Sequence, residues 1–182
     1  MKNKIYFVRH GQTVANEHSI ISGTNETDLT ILGIQQAKDI AYSLIEKKGK
    51  INRILSSPLK RATDTAAIIS KIIDVPFFVD NRLIEQNFGK FQGQYKDQNC
   101  FLRSKTQFIN SFEFGETTFK VVFRIYDLLY ELSKEDDDYL LVSHNGIARV
   151  VNSFFEDMTN SEFVSFGLNN CEIREYTFIN EH

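Results

Sequence analysis

Three short polar clusters carry residue types suited to handling an anion. They are Arg9-His10-Gly11, Ser56-Ser57-Pro58 followed by Lys60-Arg61, and Ser143-His144-Asn145-Gly146. Together they hold two of the chain's four histidines. Arginine offers a planar fork of N–H donors that matches phosphoryl oxygens. Neutral imidazole is a nucleophile near pH 7, so a histidine held among arginines can accept a phosphoryl group covalently. Gly11 and Gly146 would let backbone approach a ligand closely. Helix N-termini after Ser57 and Asn145 would add partial positive charge. These features predict one anionic site, and phosphate fits it best.

Each cluster directly follows a run that reads as a buried strand: 4–8, 51–56 and 139–142. Further strands are expected at 76–79 and 171–179. Helical spacing over 30–48 places Ile34, Ala37, Ala41, Leu44 and Ile45 on one side, with Thr30 as N-cap and Gly49 as stop. Ser57-Pro58 opens the next helix as N-cap and first helical residue, with an apolar stripe of Ala62, Ala66, Ile69 and Ile73, ending before Pro76. A helix over 116–133 carries Phe119, Val122, Phe123, Tyr126, Leu129 and Tyr130 on its apolar side, and another spans 147–155. The stretch 81–115 reads as irregular. Strands alternating with helices at this spacing predict an α/β sandwich of three layers, α/β/α, around a mostly parallel sheet. Ligand sites in such sheets lie beyond the carboxyl ends of the strands, where all three polar clusters fall.

Composition narrows the function classes. The 182 residues are 42% hydrophobic and 25% charged, as in an ordinary globular chain, and no linker or repeat divides them, so one domain over 1–182 is expected. A net charge of −3 gives no reason to expect nucleic acid or an anionic membrane surface as partner. No apolar run suits a signal peptide or a membrane helix. Cys100 and Cys171 lack the neighbours of an activated thiolate and argue for a reducing cytoplasm. The acidic run 135–138 reads as a solvated turn rather than a metal site.

The clusters also resemble a known family. Residues 5–16, Ile-Tyr-Phe-Val-Arg-His-Gly-Gln-Thr-Val-Ala-Asn, are similar to the signature of the histidine phosphatase superfamily, in its phosphoglycerate-mutase-like branch. The resemblance continues through Asp28-Leu29-Thr30, Ser56-Ser57-Pro58-Leu59-Lys60-Arg61-Ala62, Leu83 and Glu85 with Phe88-Gly89, Gly115-Glu116-Thr117, and Ser143-His144-Asn145-Gly146-Ile147-Ala148-Arg149. It implies a phosphoglycerate-mutase-like fold, His10 as phospho-accepting nucleophile and Glu85 as general acid and base. Arg9, Arg61 and a protonated His144 would form the phosphate pocket, with Asn16 a further contact. Ser22 and Gly23 fall where some members touch substrate. No metal and no other cofactor is implied. His18 and His182 match nothing and are expected at the surface.

The activity expected from the resemblance is hydrolysis of a small phosphate ester. A phosphoglycerate mutase would share the nucleophile and pocket. Family mutases, however, carry a longer segment after the glutamate, whereas here 94–115 offers only Lys96, Arg103 and Lys105 as cations. A phosphate-ligand or phosphopeptide-binding protein without turnover is the alternative of another class. Phe101, Phe108, Phe112 and Phe114 could line a substrate pocket or pack a helix, with packing favoured for at least half.

Overall fold

The computed structural model describes residues 3–47 and 50–178. Five strands, β1 (Lys4–Arg9), β2 (Ile51–Ser56), β3 (Phe77–Val79), β4 (Asp138–Ser143) and β5 (Ile173–Thr177), form one sheet in the order β3-β2-β4-β1-β5. All neighbours are parallel except β5, which runs antiparallel to β1 at the edge.

The central strands read as unbroken apolar runs because both sheet faces are covered. Period-two alternation then sorts their side chains. Ile5 and Phe7 join Tyr139 and Leu141 in one core, whereas Tyr6 and Val8 join Leu140, Val142 and Ile54 in the other. Helices α5 (Thr118–Leu132) and α6 (Asn145–Phe155) close the first core. Helices α2 (Ile31–Ser43) and α3 (Lys60–Ile73) close the second through Ala41, Ala62, Ala66, Ile69 and Ile73. The three-layer α/β/α architecture is as the pattern predicts. Three shorter helices, α1 (Val14–Glu17), α4 (Asn99–Lys105) and α7 (Asn160–Ser165), lie in the connections. Among the described residues no helix is long and apolar enough to cross a membrane.

Local signals hold at several ends. The Thr30 side chain accepts from Gly33 N at 3.0 Å and caps α2. Asp74 takes the left-handed conformation, φ 56°, and ends α3 ahead of Pro76. The expected stop at Gly49, the last residue of the expected 171–179 strand and His182 lie outside the described residues. His18 is exposed.

Three expectations require correction. Helix α3 starts at Lys60, and its N-cap, Leu59, has no side-chain cap, so Ser57 does not cap it. On α5 the buried side is Val121, Ile125, Leu128, Leu129 and Leu132, while Phe119, Phe123 and Tyr130 stand exposed. That helix carries two apolar stripes, and the aliphatic one fits the core under β1 and β4. The stretch 81–115 contains α4. Of its phenylalanines, Phe101 and Phe112 are buried against Phe88, Phe91 and Ile21, Phe108 packs edge-on against Phe163 at 5.5 Å, and Phe114 is 97% exposed.

The parallel register sets the site. Arg9 pairs with Ser143, and Ser56 with Val142. His10 N donates to Ser143 O at 2.9 Å, and Ser57 N donates to Val142 O at 3.0 Å. The three polar clusters therefore leave the sheet side by side.

Candidate active site

Beyond those strand ends lies a cavity of about 240 Å³. Arg9, His10, Asn16, Ser22, Gly23, Arg61 and Glu85 all line it. Its charge is lopsided: the cations Arg9, Arg61, Lys96, Lys105 and Arg149 face a single carboxylate, Glu85. Such a wall attracts anions. Among the described residues, no group of three or more His, Cys, Asp or Glu side chains could hold a metal ion.

His10 is buried, with its Nδ1 2.8 Å from Gly11 O. A carbonyl can only accept, so Nδ1 carries the proton and Nε2 keeps its lone pair. Burial, then Arg61 and Arg9, push the His10 pKa well below the ordinary imidazole value. The ring is therefore neutral near pH 7, with the Nε2 lone pair free.

The two arginines are anchored by carbonyls rather than by carboxylates. Arg61 donates from Nη2 to Gly23 O at 2.7 Å and from Nη1 to Asn25 O at 2.9 Å. Arg9 donates from Nη1 to Leu168 O at 2.6 Å. In both, Nε is buried without a partner. A buried unpaired donor costs about 1–3 kcal/mol, which an anionic ligand would offset.

His144 is fully buried and does not line the cavity; its ring centroid stands 5.1 Å from that of His10. Its Nε2 lies 2.6 Å from Ser57 Oγ, and its Nδ1 has no partner. Burial, with Arg61 next, holds its pKa well below the ordinary value. The free protein thus keeps His144 neutral, and the protonated state implied by the resemblance would have to arise with an anion in place. Ser57 serves this contact and also accepts from Leu59 N at 3.3 Å, just ahead of α3.

Glu85 is also buried, and both its oxygens are held. Gln86 N donates to Oε1 at 2.8 Å and Gly146 N to Oε2 at 3.1 Å. Helix α6 therefore turns the Gly146 amide of its first turn toward Glu85. The glycines also allow close protein contacts. A Cβ on Gly146 would stand 2.3 Å from Glu85 Oε1, and one on Gly11 2.4 Å from Gly33 O. Asn16 sits on α1 with Oδ1 bound by Asn170 Nδ2 at 3.1 Å and Thr13 N at 3.3 Å.

A family model described as the histidine phosphatase superfamily (branch 1) matches residues 5–182. The chain belongs to this superfamily. Among similar histidine phosphatase-type proteins is the metal-independent phosphoserine phosphatase of Arabidopsis thaliana, 32% identical over 81% of this chain and 66% of that protein. Another relative is the 2,3-bisphosphoglycerate-dependent phosphoglycerate mutase of Thermoplasma acidophilum, 29% identical over 91% of this chain and 82% of the other. The solved mycobacterial glucosyl-3-phosphoglycerate phosphatase complexed with VO3 superimposes with a TM-score of 0.81 at 26% identity, covering 95% of this chain and 90% of that one. Across the first curated relatives, the match spans 44% to 82% of the relative's own length.

The structure also gives a place to residues that the sequence named without a settled site role, and it adds Leu102. Lys96, Lys105, Phe88, Phe101 and Leu102 line the cavity, as does Arg149. Cys171 is buried and its thiol is pushed up to about 12, chiefly by burial, while Cys100 is exposed.

Proposed function

We propose that the protein hydrolyses small phosphate monoesters through a phosphohistidine on His10. The observation that carries this reading is the tautomer of His10: its proton is committed to Gly11 O at 2.8 Å, which leaves Nε2 as the nucleophile. Nε2 attacks phosphorus, an N–P bond forms and the bond to the ester oxygen breaks. The leaving alkoxide takes the proton of Glu85. Water then attacks the phosphohistidine, gives its proton to the Glu85 carboxylate and releases inorganic phosphate as the N–P bond breaks. Arg9 and Arg61 stabilise the phosphoryl charge from fixed positions, a kind of preorganisation worth about 10²–10³ in rate per donor.

His144 supports the same phosphoryl group. Leu59 N donates to Ser57 Oγ at 3.3 Å, and the Ser57 hydroxyl is placed to donate to His144 Nε2 at 2.6 Å. That assignment puts the His144 proton on Nδ1, the ring nitrogen that lacks a partner. Asn16 contributes its side-chain amide, and Ser22 and Gly23 form the wall held by Arg61.

Hydrolysis is favoured over mutase transfer because the segment 94–115 places only one short helix, α4, over the cavity, so water reaches the phosphoenzyme. The phosphatases named among the relatives support the same choice. Two free cysteines suit the cytoplasm, where such metabolites occur.

The test is phosphate release from p-nitrophenyl phosphate and a panel of metabolite esters in EDTA, alongside trapping of labelled enzyme. Acid-labile, base-stable label is expected on the wild type and absent from His10→Ala. Label on His10→Ala, or activity restored only by added Mg²⁺ or Zn²⁺, overturns the mechanism. Transfer to a phosphoglycerate without release would make the protein a mutase.

A further inference from the structure

The phosphate pocket employs two of the five cations that line the cavity. Two others, Lys105 on α4 and Arg149 on α6, converge on one acceptor, Val164 O of α7, at 3.4 Å and 3.5 Å. Among the described residues, neither forms an ion pair with a carboxylate. Arg149 also buries an unpartnered Nε. One carbonyl oxygen cannot neutralise two positive charges, and bringing like charges together in a partly dry site is unfavourable without an anion. Burial and the Arg149 charge together lower the Lys105 pKa to about 8.

This pair is distinct from the nucleophile's surroundings. The charges that bear most on His10 are Arg61, Arg9 and Lys96. Between the polar groups, Ile20, Ile21, Phe88, Phe101 and Leu102 supply an apolar wall. The cavity therefore holds a second cation pair besides Arg9 and Arg61, with a hydrocarbon-compatible lining, matched to a small molecule that carries two anionic groups.

We infer that Lys105 and Arg149 form a second anion subsite, so that the substrate is a small phosphate monoester whose other end carries a carboxylate or a second phosphate. This deepens the phosphatase reading and rests on it for the chemistry at His10. Arg149 provides the planar fork that suits either group, and Lys105 adds a point charge from the opposing helix.

The test compares three propyl phosphate esters ending in a carboxylate, a second phosphate or an uncharged amide. Hydrolysis is followed as kcat/KM, and the matching non-hydrolysable phosphonates are titrated calorimetrically. The wild type should prefer at least one anionic ligand by about tenfold or more, as a charge-assisted contact implies. Whichever anion wins names the group. Lys105→Gln should remove most of that preference, and Lys105→Arg should keep it. Equal affinity for the charged and uncharged ligands in the wild type overturns the subsite, as does a preference that survives both Lys105→Gln and Arg149→Gln. Absence of p-nitrophenyl phosphate hydrolysis by the wild type would sink the phosphatase reading alone, because the phosphonate titration still decides the subsite.

Discussion

The Gly146 amide donates to Glu85 Oε2 at 3.1 Å, and a Cβ on Gly146 would stand 2.3 Å from Glu85 Oε1. The first turn of α6 thus fixes the carboxyl group, and only a residue without a side chain allows that approach. The Glu85 carboxyl group is the far end of a flexible side chain, so it can swing aside if displaced. Gly146→Ala should therefore fold, helped by the better helix propensity of Ala. It should lower kcat on alkyl phosphates by about 10–100-fold, since small misplacements of a catalytic group cost that much. An unchanged kcat beside an unchanged Tm would show that Glu85 is not held for catalysis.

Glu85→Gln separates proton donation from substrate positioning. An alkyl ester leaves as a strongly basic alkoxide, whereas p-nitrophenolate leaves with little help. In pre-steady-state phosphorylation, the alkyl ester should lose about 10²–10⁴ and the aryl ester much less. Equal losses would move the proton to another donor.

The buried pair His10 and His144 should make folding acid-sensitive. Both pKa values lie well below the ordinary value in the folded protein, whereas unfolded histidines take up protons as pH falls through about 6.5. The unfolded chain then binds more protons, so stability is unaffected by this pair above that pH and declines below it. Each histidine adds a slope of about 1.4 kcal/mol per pH unit between its unfolded and folded pKa values. Urea denaturation from pH 7.5 to pH 5 should show this slope, and His144→Gln should reduce it. A variant slope equal to the wild type would mean that His144 is not held neutral.

Lys105 should make recognition of the second anion alkali-sensitive. Its pKa is lowered to about 8, with Arg149 on α6, Glu85 and Lys96 as the charges that face it. As pH rises through that value the ammonium is lost, and kcat/KM for a doubly anionic ester should fall relative to its uncharged counterpart. Lys105→Arg stays charged and should abolish that inflection. Persistence of the same inflection in Lys105→Arg would assign it to another group.

Much of the site could be read from the residues alone because its groups sit next to strand ends. Arg9 at the end of β1 with His10 after it, Ser57 after β2 and His144 after β4 are contiguous with apolar runs whose pairing is set by burial on both sheet faces. Glu85 was reachable only through resemblance to a family, since its loop has no periodicity and its position depends on Gln86 N and Gly146 N.

Sequence by itself determined the alternation of strands and helices, the polar clusters beyond the strand ends, the Thr30 cap of one helix and the Pro76 limit of another. These are properties of near neighbours, written in side-chain period and backbone preference. Tertiary structure decided the rest. It chose the Val121–Ile125–Leu132 face of α5 over the Phe119–Phe123–Tyr130 face, because both stripes have helical spacing and only the opposing core distinguishes them. It made Ser57 the partner of His144 rather than a helix cap, and it seated Glu85 against Gly146. It also brought Lys105 and Arg149 to one carbonyl from two helices. Burial and proximity across the chain, which set charge state and partner choice, exist only once the layers are packed.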